Sequence, residues 1–106
     1  MDYRKEYEKW LASPALSEDE RAELRALEGN DKEIKARFYG PLEFGTAGLR
    51  GTMYTGLHNM NRHVIRWATQ GFANVIRAEG TEAMQKGVAV CMDCRNHSAE
   101  FARETA

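Results

Sequence analysis

Apolar residues recur at helical spacing three times between residues 1 and 40. Tyr3, Tyr7, Trp10 and Leu11 fall on one face and predict an amphipathic helix that ends near Ser13 and Pro14. Ser17 followed three residues later by Glu20 is a capping-box signature. Leu24 and Leu27 carry the apolar stripe of a second helix, and Gly29 supplies its stop. Asn30 or Asp31 caps a third, short helix in which Ile34 and Phe38 stand one turn apart before Gly40 and Pro41 break it. Ile34 is the sole β-branched residue of this stretch, so the first part of the chain reads as a helical preface.

After Pro41 the pattern changes. Leu42, Glu43 and Phe44 alternate as a short strand does, and then Gly45, Gly48 and Gly51 mark a tight loop. The irregular stretch from Gly45 to Met60 is long enough to be a working loop. From Asn61 to about Glu79, Val64, Ile65, Ala68, Phe72, Val75 and Ile76 trace a helical stripe, with Asn61 as cap and Gly80 as stop. Gly87 opens the apolar run Val88 to Met92, which predicts a strand covered on both faces, with Asp93 to Asn96 as the turn beyond it. Ser98 caps a last helix containing Phe101 and Ala102, and the arrival of Ala106 after barely two turns suggests truncation.

Strand, loop, long helix, buried strand and helix is the order of an α/β unit with right-handed crossovers. The expected organisation is a helical extension over residues 1–40 followed by an α/β part over residues 41–106.

Charge narrows the functions open to such a fold. The 106 residues carry 15 basic and 16 acidic side chains, a net charge of -1, which removes the general attraction to phosphate backbones that a nonspecific nucleic-acid binder needs. No apolar run approaches a membrane span and the charged first residues are unlike a signal peptide, so the expectation is a cytoplasmic protein with no nucleic-acid or membrane partner. Cys91 and Cys94 are too few and too close for a disulfide framework.

Between Phe44 and Arg77 the chain holds Arg50, Arg62, Arg66, Arg77, His58 and His63 but no Asp or Glu, a composition suited to an anion. In the loop, glycines let a ligand approach backbone N–H groups, Thr46 offers a hydroxyl, and Arg50 offers a planar fork of donors for phosphate or carboxylate. The competing reading is a glycine-rich turn whose Arg50 is solvated or paired with Glu43. The loop is no Walker loop, lacking a Gly-Lys-Ser/Thr ending, and its glycines are spaced unlike the dinucleotide fingerprint.

The string Phe44-Gly-Thr-Ala-Gly-Leu-Arg-Gly51 resembles the N-terminal active-site motif of the α-D-phosphohexomutase superfamily. Met60-Asn61, Thr69-Gln70-Gly71 and Asp93-Cys94-Arg95 with Asn96 and Ser98 extend the similarity over about half the chain. The helical preface is similar to that of the long phosphoglucomutase and phosphopentomutase-like branch. The fold implied is an incomplete first α/β/α domain of a phosphohexomutase with an N-terminal helical extension.

The resemblance also implies an activity for a complete, four-domain parent. That enzyme would be an intramolecular phosphotransferase interconverting sugar 1-phosphate with sugar 6-phosphate, or 5-phosphate for pentoses. A phosphoserine and a bisphosphorylated sugar of the glucose 1,6-bisphosphate type would carry the phosphate, with magnesium assisting. Its partners would be the sugar phosphate and the remaining domains. No Thr-Ala-Ser-His-Asn-Pro string and no Asp-Gly-Asp metal loop occurs in this chain, so neither a catalytic nucleophile nor a metal ligand is assigned, and the isolated chain is expected to be inactive. What carries over is substrate binding by Thr46 and Arg50. Ala47 stands where many relatives have Ser, and Asp93 and Arg95 match an Asp-x-Arg element read as fixing a turn. A reading of another class is a non-catalytic module binding phosphosugars or a protein.

The remaining chemistry-bearing residues have simpler accounts. Cys91-x-x-Cys94 lacks a second pair for zinc, His58, His63 and His97 lack metal-ligand spacing and read as solvated or capping, and Tyr3, Tyr7, Trp10 and Trp67 are assigned to packing.

Overall fold

The structure, a computed structural model, describes residues 2–45, 48–92 and 96–106. The chain forms two compact units, Met1–Asn61 and Arg62–Ala106.

The first unit begins with three short helices whose ends are set by side-chain caps. In α1 (Tyr3–Leu11), Asp2 accepts from the amides of Arg4 and Lys5. In α2 (Glu18–Arg25) the capping box forms as the spacing predicts, Ser17 accepting from the Glu20 amide and the Glu20 carboxylate accepting from the Ser17 amide. For α3 (Asp31–Phe38), Asn30 rather than Asp31 is the cap and accepts from the Glu33 amide. Gly29, at φ +85, makes the turn between α2 and α3 in the left-handed region that a side chain disfavours.

Helix α1 packs on both α2 and α3. Tyr7, Leu16, Leu24, Leu27, Ile34, Phe38 and Leu57 form the core, with Tyr3, Trp10 and Leu11 packed at its margin. Phe38 and Leu24 are completely buried. The Tyr7 and Trp10 rings each meet Phe38 edge-on at 5.7 Å, the geometry in which the positive ring edge faces the negative ring face. Tyr7 also donates its hydroxyl proton to the Leu24 carbonyl at 2.6 Å, which satisfies the one polar atom this ring carries into the core.

Beyond α3 the chain forms a two-stranded antiparallel hairpin, β1 (Phe44–Gly45) with β2 (Gly48–Leu49), in the register Phe44 opposite Leu49 and Gly45 opposite Gly48. The strand expected over Leu42 to Phe44 therefore starts later, because pairing with β2 rather than alternation decides where the ladder begins.

The second unit holds α4 (Arg62–Glu79), α5 (Thr81–Lys86) and α6 (Ser98–Thr105), with α4 packed on both of the others. Arg66 of α4 pairs with Glu104 of α6. Gly80, at φ +103, stops α4 as predicted. Three expectations fail in this unit, and one helix forms where none was assigned. Residues 81–86 form a helix that no apolar stripe announced. Ser98 opens α6 as its first helical residue, while His97, left-handed at φ +64, takes the cap position with no side-chain capping bond. The run Val88 to Met92 is not a buried strand: it lies outside regular structure, with Val88, Val90 and Met92 at 55%, 41% and 65% exposure. A central strand exists only when neighbours accept its backbone hydrogen bonds, and the sheet of the described residues contains β1 and β2 alone. Trp67, assigned to packing, is exposed together with Phe72 and Val75.

Candidate functional site

Arg50 follows directly on β2 and is exposed, and among the described residues no hydrogen bond or ion pair holds its guanidinium. It is not paired with Glu43, which is exposed as well. An arginine on a short hairpin with its donor fork open to solvent is placed to receive an oxyanion. Gly48, at φ +114, adopts a backbone conformation that L side chains rarely enter, so the glycine of the motif is required by the hairpin itself. Thr46 and Ala47 lie outside the described residues, as do Asp93, Cys94 and Arg95.

The hairpin is held at its base. A Cβ on Gly51 would sit 3.0 Å from Leu42 Cδ1 and 3.5 Å from the Met60 amide nitrogen, so the missing side chain lets Leu42 and Met60 close over residue 51. The Thr52 carbonyl accepts from the amides of Tyr54 at 3.0 Å and Met60 at 2.9 Å. Asn61, expected as a helix cap, donates through Nδ2 to the Tyr54 and Gly56 carbonyls, both at 2.9 Å. Together these bonds fold the irregular stretch after Arg50 into a closed loop.

The helices anchor that loop through charge. Arg37 of α3 is buried, its side chain 8% exposed. It donates from Nε to Glu33 at 3.0 Å and from Nη1 to the Thr55 carbonyl at 3.3 Å, stands 3.5 Å from Glu23 of α2, and stacks over the Tyr54 ring at 4.6 Å. Glu23 accepts from the Thr55 amide at 2.8 Å. Both backbone groups of Thr55 are thus tied to side chains of the helical preface. Gly56, at φ +152, passes so close to α3 that an added Cβ would lie 2.9 Å from Arg37 Cβ and 3.0 Å from its carbonyl oxygen.

His58, read from sequence as solvated or capping, is neither. It is half-buried, and its Nδ1 lies 3.1 Å from the Gly40 carbonyl and 3.2 Å from that of Pro41, while Nε2 lies 2.9 Å from the Tyr39 hydroxyl. A carbonyl only accepts, so Nδ1 carries the proton. Arg37, Glu23 and His58 gave no motif signal, since Arg37 meets Glu23, the Thr55 carbonyl and the Tyr54 ring, Glu23 the Thr55 amide, and His58 Tyr39, Gly40 and Pro41, all partners distant in sequence.

Elsewhere the chemistry is sparse. Cys91 is an exposed free thiol, and His97 pairs with Glu100 at 2.9 Å. Among the described residues no group of three or more His, Cys, Asp or Glu side chains is placed to hold a metal. No helix of the described residues is long and apolar enough to cross a membrane.

Residues 41–106, which contain the hairpin and Arg50, match the family model of phosphoglucomutase/phosphomannomutase, alpha/beta/alpha domain I. The chain is 39% identical over 85 residues to a phosphopentomutase of Homo sapiens, covering 74% of this chain and 14% of that protein. It is 42% identical over 74 residues to a phosphoribomutase of Saccharomyces cerevisiae, covering 70% and 12%, and 31% identical over 96 residues to a phosphomannomutase of Mycoplasma pneumoniae, covering 91% and 17%. The chain thus spans about one-seventh of the length of these curated relatives. No solved structure matches it. With its exposed arginine on a glycine hairpin, and with these matches, the chain belongs to the phosphoglucomutase/phosphomannomutase family, its residues 41–106 falling in the family's alpha/beta/alpha domain I.

Proposed function

We propose that this chain supplies part of the substrate grip of a phosphosugar mutase, an intramolecular phosphotransferase that moves a phosphoryl group between the anomeric and terminal hydroxyls of a sugar. The observation that carries this reading is Arg50, exposed on a hairpin whose base is fixed to the closed loop behind it. A phosphoryl group carries charge on several oxygens, and its transfer depends on positioned cationic donors rather than on covalent chemistry by those donors. Arg50 acts as such a donor, its fork spanning two oxygens of one phosphoryl group, and Thr46 adds a hydroxyl from the same motif.

The names of the relatives favour a pentose or hexose phosphate as the substrate, and the exchange in this reading runs between its 1-phosphate and its 5-phosphate or 6-phosphate. The chain's own residues bind and orient. No string of the family's phosphoserine type occurs in it, so the chain alone supplies no phosphoryl acceptor. Residues 1–40 form a helical extension that braces the loop, and residues 41–106 form part of the α/β domain.

The test is an NMR titration of the chain with ribose 1-phosphate and with glucose 1-phosphate. Saturable shifts at the Arg50 and Thr46 amides, no conversion of either sugar, and loss of the shifts in Arg50→Ala support the reading. Shifts that survive Arg50→Ala refute the role of this hairpin, and turnover by the isolated chain refutes its assignment as a binding part alone.

A further inference from the structure

We propose that His58 is a positioning residue for the Arg50 hairpin, and the inference rests on the reading of that hairpin as a phosphate grip. The chain leaves α3 at Tyr39, runs through Gly40 and Pro41, enters β1, returns through β2 to Arg50 and closes its loop near His58. His58 touches the outgoing path from Arg37 to Pro41. Its backbone amide donates to the Arg37 carbonyl at 2.8 Å, its Nε2 receives the Tyr39 hydroxyl at 2.9 Å, and its Nδ1–H is shared between the carbonyls of Gly40 and Pro41 at 3.1 and 3.2 Å. The imidazole also lies against the Tyr39 ring, with centroids 4.4 Å apart.

These contacts matter because the backbone of residues 40 and 41 has no ladder or helix to hold it. Gly40 is conformationally permissive, Pro41 has no amide to donate, and the carbonyls that His58 satisfies lie outside any helix or ladder. The returning limb is tied by the Met60 amide to the Thr52 carbonyl, and Leu42 of the outgoing limb packs against Gly51. His58 therefore sets where the outgoing limb starts relative to the limb that carries Arg50. A hairpin with two residues in each strand has too few ladder bonds to set its own direction, so an error at its base is carried to the guanidinium. His58 touches no phosphate in this scheme. It acts through the backbone.

The experiment uses the 106-residue chain and two variants. His58→Leu removes both ring partners, whereas His58→Asn keeps an amide donor one bond from Cγ, where Nδ1 stands. Nitrogen-15 relaxation at Arg50 and Gly51 and hydrogen exchange at the Met60 amide are measured without ligand. For His58→Leu we expect lower order at Arg50 and Gly51 and exchange at Met60 faster by about fivefold, the effect of losing roughly one net hydrogen bond. His58→Asn should restore both readings towards the parent chain, with the signals of the Tyr7–Phe38 core unchanged throughout. Parent-like order in His58→Leu, or no rescue in His58→Asn, overturns the proposal. Should His58→Leu not fold, Tyr39→Phe, which removes only the Nε2 partner, takes its place: a measurable fall in order at Arg50 supports the proposal and none overturns it.

Titration with inorganic phosphate separates this inference from the reading beneath it. A parent chain with no phosphate response at Arg50 sinks the phosphate grip, and the ligand-free order measurement still judges His58. If the parent chain binds and His58→Leu binds equally well, the positioning role fails while the grip stands.

Discussion

Replacing Arg37 by Met keeps the apolar stem that lies along α3 and removes only the guanidinium, so the loss isolates what the charged group contributes. Four contacts go. The bond to the Thr55 carbonyl, at 3.3 Å, is buried, and a hydrogen bond to a charged group is worth about 1.5–3 kcal/mol. The partnerships with Glu33 and Glu23 are discounted, because those carboxylates are 40% and 37% exposed and water replaces part of what they lose; about 0.5–1 kcal/mol together is reasonable. Stacking over Tyr54 adds about 0.5 kcal/mol. The sum is about 2.5–4.5 kcal/mol, comparable with the whole stability that a core of this size supplies, about 3–5 kcal/mol.

Urea unfolding followed by Trp10 fluorescence in a Trp67→Phe background is the assay, since Trp10 packs on the first unit's core and Trp67 is exposed. The expected result is a midpoint shifted by more than half its parent value at unchanged slope. A companion variant calibrates it. Arg4→Ala breaks the pair with Asp31, but that pair is open to solvent and its loss should leave the midpoint in place. A loss below about 1 kcal/mol in Arg37→Met refutes the claim that this guanidinium joins the helices to the loop.

Two further predictions concern the same unit. Gly56→Ala combines a strained φ of +152 with a Cβ 2.9 Å from Arg37 Cβ, and should cost about 1–3 kcal/mol in the same urea assay; an unchanged midpoint contradicts the close approach of loop and helix. Burial holds the Tyr7 hydroxyl above the usual tyrosine range, so its contribution is complete below that range and is lost as pH rises towards the raised value. Tyr7→Phe should lose about 1 kcal/mol at neutral pH with the bond to the Leu24 carbonyl, and should lose less stability than the parent chain between neutral and strongly alkaline pH; parallel curves would remove Tyr7 from the account.

The helical preface was legible because its signals are local. Apolar spacing, a capping box and a glycine at positive φ each act within one or two turns, and Tyr7, Leu24, Leu27, Ile34 and Phe38 all enter the core they predict. The two core residues outside that pattern, Leu16 and Leu57, sit in connections where no period operates. The same locality explains the failures. Val88 to Met92 has the composition of a central strand, but strand formation depends on partners that composition does not supply. Residues 81–86 form α5 on helix-favouring Glu82, Ala83, Met84, Gln85 and Lys86 between two glycines, a matter of propensity rather than stripe. At the site, the motif pointed to Arg50, which the structure leaves exposed. The clasp around it was silent in sequence, because Arg37 and His58 reach across 17 or 18 residues to carbonyls, which every residue possesses, and to side chains that no local period connects.

Calorimetric titration of the chain with ribose 1-phosphate, beside Arg50→Lys and Arg50→Ala, tests the central claim most directly. If the guanidinium grips two oxygens of the phosphoryl group, Arg50→Ala should weaken binding by about 10- to 100-fold, the loss expected for a charge-assisted bidentate contact, and Arg50→Lys should fall between, keeping charge without the fork. Equal affinity in all three proteins would contradict it.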